Sequence, residues 1–235
     1  LRRQRQMCIR DRNLSEWNHT GTGTAEILQI RGEGHGVLHM QNQRMVSQRN
    51  TGSTFVIDFK FAMDPCNPST PSGITFNRAA KDDWPLTSGY LLAFRKTSSS
   101  NPFTISLRKQ GIVLTSTTSG IDITDKMNLT QGRLAVSLLT DHYGYVYGKR
   151  IEFYADGELI LEYSDEDTSE TGPWSGVYTA TSGNIYIDDW HNRWFMWVIE
   201  PDSVIQNKPD GPICCLQDYS AGDRGSRWSN LPYPY

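Results

Sequence analysis

The sequence predicts an all-β protein, a two-sheet antiparallel β-sandwich. Three observations predict it: apolar residues alternate with period two in short runs, turn-forming residues separate those runs, and no stretch carries three turns of amphipathic helix. The clearest run is 54–62, where Phe55, Ile57, Phe59 and Phe61 share one face while Val56, Asp58 and Lys60 take the other. That pattern belongs to a strand with one face in a core. Further strands are expected at 73–77, 90–96, 103–108, 133–139, 151–155, 159–163 and 184–190. Gly, Pro, Ser, Thr and Asp clusters between them supply turn geometry. Asp156-Gly157 lies between Phe153-Tyr154-Ala155 and Leu159-Ile160-Leu161 and signals a two-residue hairpin, because a type I′ turn needs positive φ at both central positions. The segment 123–129 has room for one short helical turn. About a dozen short strands indicate two packed antiparallel sheets, with a closed barrel as the alternative. No repeat of solenoid or propeller period interrupts them.

Residues 2–12, RRQRQMCIRDR, resemble the translation of a transposase-type sequencing adapter, so residues 1–12 are set aside as a scar of library preparation. The natural start is then expected upstream. The domain is placed at 13–200. From Pro201 the alternation lapses, with Pro209, Pro212, Pro232 and Pro234 following, and 201–235 is read as a tail, a linker or the truncated start of a further domain. The whole chain has 23 Lys plus Arg against 26 Asp plus Glu; the first twelve residues hold five Arg and one Asp, leaving 18 against 25. A balance near −7 is a poor basis for a phosphate-tracking face, so nucleic acid is not expected as a partner. No apolar run approaches the length of a membrane span.

Cys8 belongs to the scar, which leaves Cys66, Cys214 and Cys215 with their pairing open. Sequons at Asn18-His19-Thr20 and Asn128-Leu129-Thr130, with the cysteines, suggest an extracellular or cell-surface setting. The five histidines show no zinc-ligand spacing, and Gly32, Gly34 and Gly36 are not followed by a helix that would make them a phosphate loop. Asp165-Glu166-Asp167 reads as a solvated turn.

A family resemblance lies in the strands themselves. Trp17, the runs Thr54-Phe55-Val56-Ile57-Asp58-Phe59-Lys60-Phe61, Ser72-Gly73-Ile74-Thr75-Phe76-Asn77-Arg78 and Gly89-Tyr90-Leu91-Leu92-Ala93-Phe94-Arg95, the hairpin Ile151-Glu152-Phe153-Tyr154-Ala155-Asp156-Gly157, and the closing Gly176-Val177-Tyr178 and Asn184-Ile185-Tyr186-Ile187-Asp188-Asp189-Trp190 resemble the concanavalin A-like lectin/glucanase superfamily, nearest its laminin-G-like and 3-keto-disaccharide-hydrolase-like branches. The likeness spans about 14–195 and implies a jelly roll. That fold hosts lectins, glycosidases and adhesion domains alike. The Glu-x-Asp-x-x-Glu strand of its laminarinase-type glycosidases is absent, which leaves Glu152 and Asp58, on strand faces turned from the core, as the candidate catalytic carboxylates. No cofactor is required. The resemblance implies a structural Ca2+ held by Asp188 or Asp189.

Sugars present apolar C–H faces and hydroxyls, so a lectin-like groove pairs an aromatic platform with amide, Arg or carboxylate groups. The candidates are Trp84 in a turn-rich stretch, Trp174 after Gly172-Pro173, Tyr145 in a possible ribbon with Tyr143 and Tyr147, and Asn77 and Arg95 on the non-core side of their strands. The expectation is a carbohydrate-binding, lectin-like module of a larger extracellular protein with a glycan or polysaccharide partner. A glycoside hydrolase or 3-keto-disaccharide-hydrolase-like enzyme and a laminin-G-like protein-interaction module are the alternatives.

Overall fold

The computed structural model describes residues 14, 17–30, 36–47, 52–65, 71–81, 87–96, 102–180 and 183–194. Among the described residues twelve strands follow one another: β1 (Trp17–Leu28), β2 (Val37–Ser47), β3 (Phe55–Met63), β4 (Ser72–Arg78), β5 (Tyr90–Arg95), β6 (Phe103–Lys109), β7 (Ile112–Ser119), β8 (Thr130–Thr140), β9 (Val146–Ala155), β10 (Glu158–Asp165), β11 (Trp174–Tyr178) and β12 (Asn184–Trp194). All their pairings are antiparallel. No α-helix occurs among the described residues. The turn expected at 123–129 is instead a bend around Asp125, whose carboxylate accepts the N–H groups of Met127 and Asn128 at 2.8 and 3.2 Å.

The strands bond in one path, β10-β9-β8-β3-β12-β2-β11-β4-β5-β6-β7, with β1 on β2. The two separate sheets expected from the sequence are therefore connected, and β2 connects them. Leu38 to Gln41 pair with β12 and Arg44 to Val46 with β11. Asn42 sits between at φ 50°, a left-handed conformation that bends the strand. The two ends of the path, β7 and β10, come within 8 Å of each other, Cα to Cα, so the sheet nearly closes.

Inward side chains of β3, β8, β9 and β12 meet those of β4, β5 and β6 in one aromatic core. Phe61 stacks on Phe94 at 4.8 Å although β3 and β5 are not paired, and Phe94 meets Phe153 at 5.4 Å. Trp190 is fully buried between Trp17 and Phe59, at 5.3 and 5.9 Å. Gly132 leaves room for the Phe59 ring, which a Cβ there would meet at 2.7 Å. Asp156 and Gly157 have φ of 48° and 84°, as the hairpin signal required.

Candidate functional site

Along β5, β6, β9 and β10 the inward positions change chemistry at one end of the molecule. Tyr90, Lys109, Lys149 and Asp165 continue the registers of Leu92, Leu107, Ile151 and Tyr163. Pairing brings Tyr90 opposite Lys109 and Lys149 opposite Asp165. The Tyr90 hydroxyl donates to Asp165 Oδ2 at 2.7 Å. Lys109 Nζ bridges Asp165 and Asp167 at 2.9 and 2.8 Å. Glu170, also buried, accepts the Gly89 N–H at 2.5 Å and the Gln110 amide at 2.7 Å, which pins the β10–β11 loop across the ends of β5 and β6.

Lys149 is 1% exposed, and its Nζ has no hydrogen-bond partner. The ammonium faces the Tyr90 ring at 5.6 Å. Burial lowers its pKa to about 8 against the pull of Glu170 and Asp165. Burial also raises the Tyr90 phenol, reinforced by the Asp165 carboxylate that accepts its proton. Asp165 would be raised by burial, but the bonds from Lys109 and Tyr90 outweigh that and hold it low. Lys109 is likewise opposed by burial and raised on balance by Asp167 and Asp165. Contrary to the solvated turn expected at 165–167, Asp165 is a buried strand residue that organises this cluster.

Aromatic side chains occur at the same end of the molecule. Tyr143, Tyr145 and Tyr147 are 74%, 73% and 48% exposed, with Val146 beside them at 43%. They do not form the expected ribbon: Thr140 ends β8, Val146 begins β9, and the loop between wraps on Asp141. Its carboxylate accepts the N–H groups of Tyr143 and Tyr145 at 2.9 and 2.8 Å, and Gly144 takes φ 85°. At the same end Trp174, half-buried, starts β11 opposite Arg78 with Lys81 Nζ 4.2 Å from its ring centre.

The sequence candidates divide. Tyr145 and Trp174 belong to this end, and Trp84 lies outside the described residues. Asn77 is also here but fully buried at φ 49°, its amide donating to the carbonyls of Gly52, Ser53 and Gly172 at 3.3–3.4 Å, so it ties loops together. Arg95 ends β5 at the opposite end, about 20 Å along the strands from Asn77 by strand rise, so the structure does not bring the two together. Glu152 and Asp58 share the outer face of β9, β8 and β3. Arg133 Nε holds Asp58 at 2.6 Å, and Arg150 spans Glu152 and Glu162 at 3.0 and 2.9 Å. Two strands and one residue pair separate their backbones, roughly 12 Å by sheet spacing, and each carboxylate is engaged by a different arginine.

Asp188 and Asp189 do not fit a calcium ion. Lys60 Nζ sits 2.6 Å from Asp189 Oδ2, where a cation would lie, Asp188 Oδ1 accepts the Asp189 N–H at 2.8 Å, and no group of three acidic, His or Cys side chains gathers among the described residues. The cluster of Tyr90, Lys109, Lys149, Asp165 and Glu170 was missed in the sequence. Its signal is an ionisable residue continuing the apolar register of each strand.

No family model and no curated protein matches the chain. Solved structures do resemble it. The cellulose induced protein Cip1 matches with a TM-score of 0.50 and 9% identity over 77% of this chain and 92% of its own. A Bacillus subtilis protein of unknown function with a galectin-like fold gives 0.49 and 15% over 76% and 89%. A legume lectin-like domain from Entamoeba histolytica gives 0.47 and 11% over 78% and 92%. Identities this low speak to fold alone.

Proposed function

We propose that the chain is a carbohydrate-binding, lectin-like module on a jelly-roll β-sandwich, part of a larger extracellular protein, and that it receives its glycan at the Lys149 end. The observation that carries this reading is the set of exposed tyrosines 143, 145 and 147 at the end of the molecule where β9 begins. Rings of this kind offer flat faces to sugar C–H groups, and the Asp167 carboxylate, exposed where Lys109 holds it, offers an acceptor to hydroxyls. The sequon residue Asn128 is exposed on its bend, which supports the extracellular setting.

A glycan array probed with the whole chain, followed by calorimetric titration of the best ligand, tests the reading. Tyr145→Ala is expected to weaken that ligand about tenfold, roughly the loss of one aromatic platform. No glycan bound at any array position refutes the proposal. The apolar Val146 beside the tyrosines favours a laminin-G-like protein-interaction module as the second reading. Capture of a protein partner that is lost in Tyr145→Ala, with no glycan bound, would select it.

A further inference from the structure

We propose a second ligand site, distinct from the tyrosine rim and independent of the carbohydrate reading: a cavity for an extended, lysine-bearing peptide in the seam where the sheet does not close. The seam runs between β7 and β10, the two ends of the strand path. Among the described residues β7 pairs only with β6 and β10 only with β9, and no backbone hydrogen bond joins β7 to β10. Half of the backbone N–H and C=O groups of an edge strand point away from its one partner. The seam is therefore flanked by two strand edges whose donors and acceptors no ladder uses.

Between the end of β7 and the start of β10 lies a cavity of about 530 Å³, bounded by 117–121 on one side and 158–160 on the other. That volume falls within the range of ligand pockets, roughly 300 to 1,000 Å³. Glu158 begins β10 and Asp165 ends it, so the cavity lies at the end of the molecule away from the Lys149 cluster. Local irregularity makes the space. Ile160 is an extra residue where the register of β10 on β9 shifts between Leu159 and Leu161, and a bulge of this kind bends an edge strand. On the other side β7 stops at Ser119, and a Cβ on the next residue, Gly120, would meet nothing within 4 Å.

The lining selects the ligand class. Ile121 and Ile160, partly buried and packed against the core, give the cavity apolar surface. Glu158 is exposed and enters no side-chain hydrogen bond or ion pair among the described residues, and no cationic side chain joins it in the lining. An extended peptide answers each feature. Its main chain brings N–H and C=O groups at strand spacing to a free edge, its apolar side chains meet the isoleucines, and a lysine meets Glu158. A strand laid along 117–121 would use about five peptide residues. A sugar ring brings hydroxyls without the strand repeat, and an anionic ligand would face the Glu158 carboxylate.

The test is fluorescence anisotropy of fluorescein-labelled Val-Lys-Val-Lys-Val-Lys-Val-amide titrated with the whole chain. Submillimolar binding is expected, weaker by at least about fivefold when glutamate replaces lysine in the peptide, and lost when every backbone nitrogen of the peptide is methylated, which removes its N–H donors. Gly120 does not take a positive φ, so Gly120→Trp fills the cavity without backbone strain and should abolish binding. Glu158→Gln, at an exposed position, should weaken the lysine peptide about two- to fivefold. Circular dichroism checks that each variant folds. No binding of the lysine peptide, equal binding of the methylated peptide, preference for the glutamate peptide, or binding indifferent to Gly120→Trp in a folded protein overturns the proposal. Glycan binding that Gly120→Trp abolishes, with no peptide bound, would make the cavity a sugar site and overturn it as well. No peptide result bears on the tyrosine rim, so the two readings fail separately.

Discussion

The middle of the interior and its Lys149 end are lined by the same strands in the same register with opposite chemistry. In the middle, Phe94, Leu107, Phe153 and Leu161 are buried and meet ring to ring or methyl to ring. At the end, Tyr90, Lys109, Lys149 and Asp165 take the equivalent positions, and an unpartnered ammonium sits where another Leu or Ile would pack. An uncompensated buried charge destabilises a fold, whereas apolar filling stabilises it. The contrast separates the part of the interior that stabilises the fold from the part that burdens it with charge.

Removing the aromatic contact in the middle should have the largest effect. Phe94→Ala takes away a ring that touches both Phe61 and Phe153 and is expected to cost about 3–5 kcal/mol in urea unfolding. A cost under about 1 kcal/mol would mean that the two halves of the path do not depend on that contact.

The next effect is a pH dependence at the end. With its folded pKa near 8 and an unfolded value of 10.5, Lys149 binds fewer protons in the folded state between those pH values. Its contribution to stability therefore rises with pH across that window, by about 3 kcal/mol in all, and the penalty is complete below pH 8. Lys149→Met should be more stable than the parent at pH 7 and lack the rise. Tyr90 runs the other way: its raised pKa keeps it protonated in the fold, so its contribution is lost as pH rises above 10. The lysine effect is thus read between pH 8 and 10. An equal rise in both proteins would contradict the cluster geometry.

Tyr90→Phe should cost less, about 1–2 kcal/mol, because it removes one donor from a carboxylate that Lys109 still holds. Tyr145→Ala is the smallest in stability, within about 0.5 kcal/mol given its exposure, with its effect in affinity instead.

Much of the architecture was legible as alternation. The run from Phe55 to Phe61 announced β3, and Asp156-Gly157 announced the β9–β10 hairpin. Three strands were not anticipated. β1 is rich in Thr and Gly and carries a register shift, β2 is broken at Asn42, and β7 exposes Ile112 and Val113 before continuing in Ser and Thr, so none shows one apolar face. Gln110 and Gly111, at φ 48° and 83°, repeat the Asp156-Gly157 geometry with a residue pair that signals it less plainly. The candidate site was less legible for a related reason. Tyr143, Tyr145 and Tyr147 drew notice as aromatics in a loop, whereas Lys149 and Asp165 belong to the interior only through a register that is visible once Ile151 and Tyr163 are known to point inward. Asn77 was misjudged because its strand position is polar yet covered, which alternation alone does not reveal.

The central claim is that recognition belongs to the Lys149 end. Calorimetric titration of the best array glycan into the parent, Tyr145→Ala and Met127→Ala tests it most directly, since Met127 is 56% exposed on the loop at the opposite end. The account predicts about tenfold weaker binding for Tyr145→Ala and parent-like binding for Met127→Ala. Equal affinity in all three proteins, or loss confined to Met127→Ala, would contradict it.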